Sequence, residues 1–218
     1  MSRIVVFGGH GRVSLLLLPL LAERADSVTA VIRNPEHAAE VEATGARALV
    51  ADVETLDTDA LADVIRGHDA VVWSAGAGGG DPRRTYAVDR DAAIRSMDAA
   101  VSAGVRRYVM VSWIGSKADH GIAADDAFFP YADAKWAADE HLRSTSLEGT
   151  VLAPGTLTSE PPAGRIQLDP DGRGQISRAD VAAVIVATLN SPSTIGRTIR
   201  FGAGDPADAI PIDEALAG

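Results

Sequence analysis

The sequence predicts an α/β fold, a parallel sheet of about seven strands with helices wound on both faces. Three observations predict it. Short runs rich in Val and Ile alternate with helical patterns along nearly all of the 218 residues. The runs are continuously apolar, as strands buried on both faces require. Glycines follow the first run directly, between a strand and a helix. Right-handed crossovers then place helices on both faces of one doubly wound sheet, in strand order 3-2-1-4-5-6-7.

The elements follow in chain order. Residues 4–7 read as the first strand and 14–24 as a Leu-rich helix that Pro19 should kink, since proline cannot donate to the Leu15 carbonyl. A second strand over 28–32 leads to Asn34-Pro35, a favoured N-cap before proline at the first helical position, so a helix is expected over 35–43. Strands at 48–51 and 70–73 flank a helix at 58–66. A long helix at 86–103 ends at Gly104, read as its C′ residue. A strand at 108–111, a helix at 130–144, a strand at 150–152, a helix at 178–189 and a strand at 198–201 complete the pattern. Only 154–175, with four prolines and four glycines, shows no regular signal. Lying after a strand's carboxyl end, it reads as a substrate-side lid around 154–176, with a mobile surface loop as the alternative. Residues 1–218 are expected to form one domain, as no linker or repeat is visible.

Composition narrows the function. At 46% hydrophobic and 23% charged residues the chain is an ordinary globular protein. Twenty basic against 30 acidic side chains leave a net charge of −10, which argues against nucleic-acid or anionic-membrane partners. Without cysteine there are no disulfides, thiolate nucleophiles or cysteine-held metals, which suits the cytoplasm. The five histidines are scattered, so no metal site is expected. The N-terminus shows no signal-peptide core, and the apolar run 15–21 is too short to span a bilayer. A monomer or weak homodimer is expected.

The loop Gly8-Gly9-His10-Gly11-Arg12-Val13 stands where a dinucleotide-binding, Rossmann-like fold holds a pyrophosphate. Gly8 permits the turn, Gly11 the close approach of backbone to phosphate at the helix N-terminus, and Ser14 replaces the third glycine with a small residue. A purely structural strand–helix turn is the competing reading. The second strand ends in Ile32-Arg33-Asn34, without the acid that NAD-preferring sites place there. Arg33 and Arg12 could clamp a 2′-phosphate, so NADP is expected over NAD. The alternative is that both are solvated surface arginines among 18.

Tyr131 and Lys135 stand at i and i+4, one helix face apart, and Lys135 is one of only two lysines. A compact, titratable charge beside a phenol suggests that Lys135 lowers the Tyr131 pKa and lets it exchange a proton with a substrate oxygen. A surface pair is the bland alternative. Ser112 closes the fifth strand and is either a substrate-carbonyl ligand or a strand-end cap.

With these motifs the chain resembles the atypical and extended short-chain dehydrogenase/reductase superfamily, in its small bacterial NAD(P)H-binding forms of the NmrA-like and flavin-reductase-like kind. The resemblance also takes in Asp52-Val53, Ser74-Ala75-Gly76, Pro154-Gly155 and 177–182. It implies that Asp52 and Val53 flank the adenine and that Ser74, Ala75 and Gly76 pass beneath ribose and phosphate. It further implies that Lys135 binds the nicotinamide ribose, that Pro154 and Gly155 wall the nicotinamide, and that Arg178 and Asp180 are structural. Ala153 stands where the family commonly has Arg, and Gly149 where an aromatic often stands. The expected function is an NADP-dependent oxidoreductase acting on a small carbonyl, quinone or flavin. The alternative is a non-catalytic NAD(P)H sensor. Epimerase or dehydratase chemistry is disfavoured because 218 residues leave little room for a sugar-nucleotide domain.

Overall fold

The computed structural model describes residues 1–24, 26–172 and 174–217. In β1 (Arg3–Phe7), Ile4 and Val6 enter one core cluster while Val5 and Phe7 enter the other. This two-sided burial is why the run is continuously apolar. The Leu-rich α1 (Ser14–Glu23) continues through Pro19 and buries Leu17, Leu18 and Leu21 completely, each side chain stabilising the fold by roughly 1.5–3 kcal/mol. After β2 (Ser27–Ile32) the Asn34 side chain accepts the Glu36 amide at 3.0 Å. It caps a single tight turn, Pro35–His37, before the short α2 (Ala38–Glu42).

β3 (Arg47–Val50) is followed by α3 (Thr58–Ile65), capped where Asp57 accepts the Ala60 amide at 2.9 Å. After β4 (Ala70–Trp73) a helix begins at α4 (Pro82–Thr85), widens through a π-helical segment (Tyr86–Ala92) and ends as α5 (Ala93–Ala103). Gly104, in the left-handed region at φ 73°, stops it. Then come β5 (Arg107–Val111), α6 (Phe129–Ser144), β6 (Glu148–Pro154), β7 (Thr156–Thr158), β8 (Arg165–Leu168) and β9 (Gln175–Ser177). The chain closes with α7 (Arg178–Asn190), β10 (Thr198–Gly202), β11 (Ile210–Pro211) and α8 (Ile212–Leu216).

The main sheet runs β11-β8-β10-β6-β5-β4-β1-β2-β3. The seven strands expected from sequence are all present and parallel in the expected order, with β10 taking the seventh place. The strand count is the correction. Nine strands form the sheet because β8 and β11 add antiparallel at the β10 edge, and β7 with β9 makes a separate parallel pair. The stretch 154–176 is therefore built rather than irregular, with Ile166 and Ile176 in the core (Arg173, inside it, lies outside the described residues). Leu17 and Leu21 of α1 share the core cluster of one face with Val181 and Ile185 of α7 and with α8, while α3, α5 and α6 fill the other. No helix among the described residues is long and apolar enough to cross a membrane.

Candidate active site

β1 lies between β2 and β4, so successive crossovers leave its carboxyl end in opposite directions and open a crevice there. Three loops meet in it. Gly8 has φ 81°, and a Cβ on it would lie 2.6 Å from the Ala75 Cα, so only glycine lets the loops after β1 and β4 touch. Gly9 faces inward instead, its amide donating to the Val31 carbonyl at 2.9 Å. Beneath Gly11 the Ser14 hydroxyl is buried without a partner. The result is a groove of two lobes, about 330 and about 350 Å³, that share Gly11, Ser74, Ala75 and Gly76.

Gly8, His10, Arg33, Asp52 and Val53 line the first lobe. Arg33 Nη1 donates to Glu54 Oε1 at 3.2 Å, and Arg84 Nε donates to the same oxygen at 2.7 Å. Glu54 thus brings from the loop after β3 an acid that the end of β2 lacks. His10 stacks on His37 at 3.6 Å and its Nε2 lies 2.7 Å from Glu40 Oε2. Arg12 is absent from this lobe and lines the second one, beside Arg178. The structure places Arg84 on Glu54 beside Arg33, while the two arginines of the clamp expected from sequence, Arg33 and Arg12, line different lobes of the groove.

The second lobe holds Arg12, Val13, Ser112, Tyr131 and Lys135. Spacing of four along α6 puts Tyr131, Lys135 and Asp139 on one helix face. Lys135 is 2% exposed, and its Nζ donates to the Val111 carbonyl at 2.7 Å. Asp139 is fully buried and its Oδ2 accepts from Ser112 Oγ at 2.5 Å and from Ser116 Oγ at 2.6 Å. Asp89, turned inward by the π-helical segment, accepts the Ala77 amide at 3.0 Å. Such segments recur at functional sites because the extra residue redirects side chains. Burial raises the pKa of both carboxyls, and the nearby Lys135 pulls both back.

The Tyr131 ring rests on Phe128, centroids 5.1 Å apart. Burial, and then the charges of Asp89 and Asp139, push its phenol up rather than down. This direction is opposite to the lowering expected from Lys135, and burial of the phenol is its first cause. Pro154 and Gly155 line neither lobe. The Pro154 carbonyl accepts the Ile114 amide at 2.8 Å, and the Gly155 amide donates to Phe201 at 2.9 Å. Leu157 and Arg178 stand in the second lobe's wall. Ser177 caps α7 by accepting the Asp180 amide at 2.9 Å, and the Asp180 carboxylate accepts the amides of Ala163 and Gly164 at 3.0 and 2.8 Å.

Sequence reasoning missed Glu54, Arg84, Asp89 and Asp139. Asp139 carried a signal, four residues beyond Lys135 on the same face; the others carried none. Together the glycine cradle, the cations of the first lobe and the buried lysine of the second fit a dinucleotide.

Comparison with known proteins agrees. The model of a family described as NAD(P)H-binding matches residues 8–192. A Bacillus subtilis relative, named as an uncharacterized sugar epimerase, YhfK, is 35% identical over 98% of each chain. A Bacillus halodurans structure, provisionally described as an NAD-dependent epimerase/dehydratase, superposes with a TM-score of 0.89 at 30% identity over 99% of both chains. The oxidoreductase YlbE from Lactococcus lactis superposes with a TM-score of 0.84 at 28% identity, over 98% of this chain and 94% of its own.

Proposed function

The chain belongs to the NAD(P)H-binding family, and from that premise we propose that it is an NADP-dependent oxidoreductase working as a reductase of a small carbonyl, quinone or flavin. One observation carries the reading: a single groove has Arg33 and Arg84 in one lobe and Ser112, Tyr131 and Lys135 in the other. The glycine-loop amides at the start of α1 suit a pyrophosphate, with Arg12 beside it. Arg33 and Arg84 suit a 2′-phosphate. Lys135 donates to the Val111 carbonyl and, at 3.5 Å, to Met110 Sδ, which leaves one N–H for a ribose hydroxyl. The bound nucleotide supplies the hydride. Burial keeps the Tyr131 phenol protonated, so it can give its proton to the strongly basic oxygen that forms as the hydride arrives.

Titration with NADPH and NADH, then turnover with aldehydes, quinones and flavins, tests the reading. Tighter NADPH binding with reduction of at least one class supports it. Good NADPH binding with no turnover of any class supports the sensor alternative. Chain length does not disfavour an epimerase, since YhfK, so named, matches over 98% of its own length. Redox-neutral conversion of a sugar with bound NAD would favour that reading. The same proposal takes the protein as a cytoplasmic monomer or weak homodimer with no nucleic-acid or membrane partner, which sedimentation and fractionation check.

A further inference from the structure

Ser112 lines the second lobe of the groove, whereas Ser116, four residues on, lines a separate cavity of about 400 Å³. Lys117, His120 and Arg200 stand on the wall of that cavity. Asp139 lies between the two serines and is fully buried. Both hydroxyls reach the same oxygen, Oδ2, at 2.5 and 2.6 Å, while Oδ1 is buried without a partner. A buried carboxylate with one oxygen unsatisfied is costly, and a bound proton relieves that cost. Two hydroxyls meeting on one oxygen have a further consequence: a proton taken from one side can leave on the other without the carboxyl group turning.

We propose that Ser116, Asp139 and Ser112 form a proton path from the Lys117–His120 cavity to the groove, where Ser112 resupplies the proton that Tyr131 gives to the substrate oxygen. The proposal rests on the reductase reading. As the carbonyl carbon gains the hydride supplied by NADPH, its π pair moves onto oxygen. That oxygen takes the Tyr131 phenol proton, the phenolate left takes the Ser112 Oγ proton, and Ser112 takes the proton on Asp139 Oδ2. The carboxylate left behind is reprotonated through Ser116 from water in the cavity. The substrate is reduced by two electrons, the nicotinamide is oxidised by two, and one solvent proton is consumed. Burial keeps the Asp139 carboxyl above its usual range. The groups facing it are Lys135, Arg143 and Tyr131 of its own helix and Ser112 and Ser116 of the segment after β5.

Infrared difference spectra of the intact protein at neutral pH, in light and heavy water, read the path without any substrate. A protonated-carboxyl band is expected in the wild type, absent from D139N and shifted by both S112A and S116A. Turnover of an aldehyde or quinone with NADPH is the second measurement. D139N should lower kcat roughly 10²-fold and S116A should lower it too, with NADPH affinity unchanged in both. If D139N does not fold, S112A and S116A decide alone. An ionised Asp139, a band insensitive to either serine, or full turnover in S116A overturns the path. Wild-type inertness towards the whole panel with NADPH bound removes the reductase reading instead, a failure the substrate-free spectra keep distinct.

Discussion

Arg33→Ala should convert a nucleotide preference into near-indifference. The Arg33 side chain is 56% exposed and shares Glu54, 23% exposed, with Arg84. A hydrogen bond to a charged group contributes roughly 1.5–3 kcal/mol, and at this exposure the lower figure applies. About 1.5 kcal/mol is near tenfold in Kd, so NADPH should bind about tenfold more weakly. NADH should change little, because losing Arg33 frees part of Glu54 to accept from a bare ribose. Glu54→Gln should act in the opposite sense, tightening NADPH by removing a carboxylate beside the 2′-phosphate. Arg12→Ala should weaken both nucleotides alike, as it lines the lobe without Arg33. The assay is calorimetric titration of each variant with both nucleotides at one fixed ionic strength, since half-exposed charges are screened by salt. Equal wild-type affinities for NADPH and NADH, or equal losses for both in Arg33→Ala, would refute the reasoning.

Tyr131→Phe keeps the ring on Phe128 and should leave NADPH affinity intact while turnover falls roughly 10²–10⁴-fold; unchanged kcat would make hydride transfer independent of the phenol. Gly8→Ala puts a Cβ 2.6 Å from the Ala75 Cα at φ 81°, so chemical denaturation should show a loss of roughly 2–4 kcal/mol, and a wild-type midpoint would contradict that. The Asp139 pKa is raised in the folded state, so the native protein binds more protons there than the unfolded chain. Its stability contribution is therefore present at acid pH and lost as pH climbs out of the ordinary carboxylate range. Wild type should lose stability relative to Asp139→Asn over that climb, and parallel stability–pH curves would speak against it. Amide exchange should slow at 157–160 when NADPH and a turned-over substrate bind, while β8, paired on both sides, stays unchanged; no change at 157–160 would leave that segment a passive wall.

The sequence by itself determined the parallel sheet, the order of seven of its strands, the cradle at Gly8 to Gly11 and the shared face of Tyr131 and Lys135. Each is local: apolar continuity, a glycine at a strand end, and a spacing of four are written within one or two turns of chain. What lay beyond it depends on partners far along the chain. β8 reads as loop because its Ile166 and Leu168 become strand residues only through β10 and β11, which arrive some 30 to 45 residues later. Glu54 reads as a surface acid until folding brings Arg33 and Arg84 to one of its oxygens. Nothing in the sequence marks Asp139 and Asp89 as buried, yet packing strips both of water. The Tyr131 phenol is raised first by its own burial and then by the charges of Asp89 and Asp139, because the sign of a pKa change follows from burial and from every charge around the group. A spacing of four names one of those neighbours, and only the tertiary structure supplies the others.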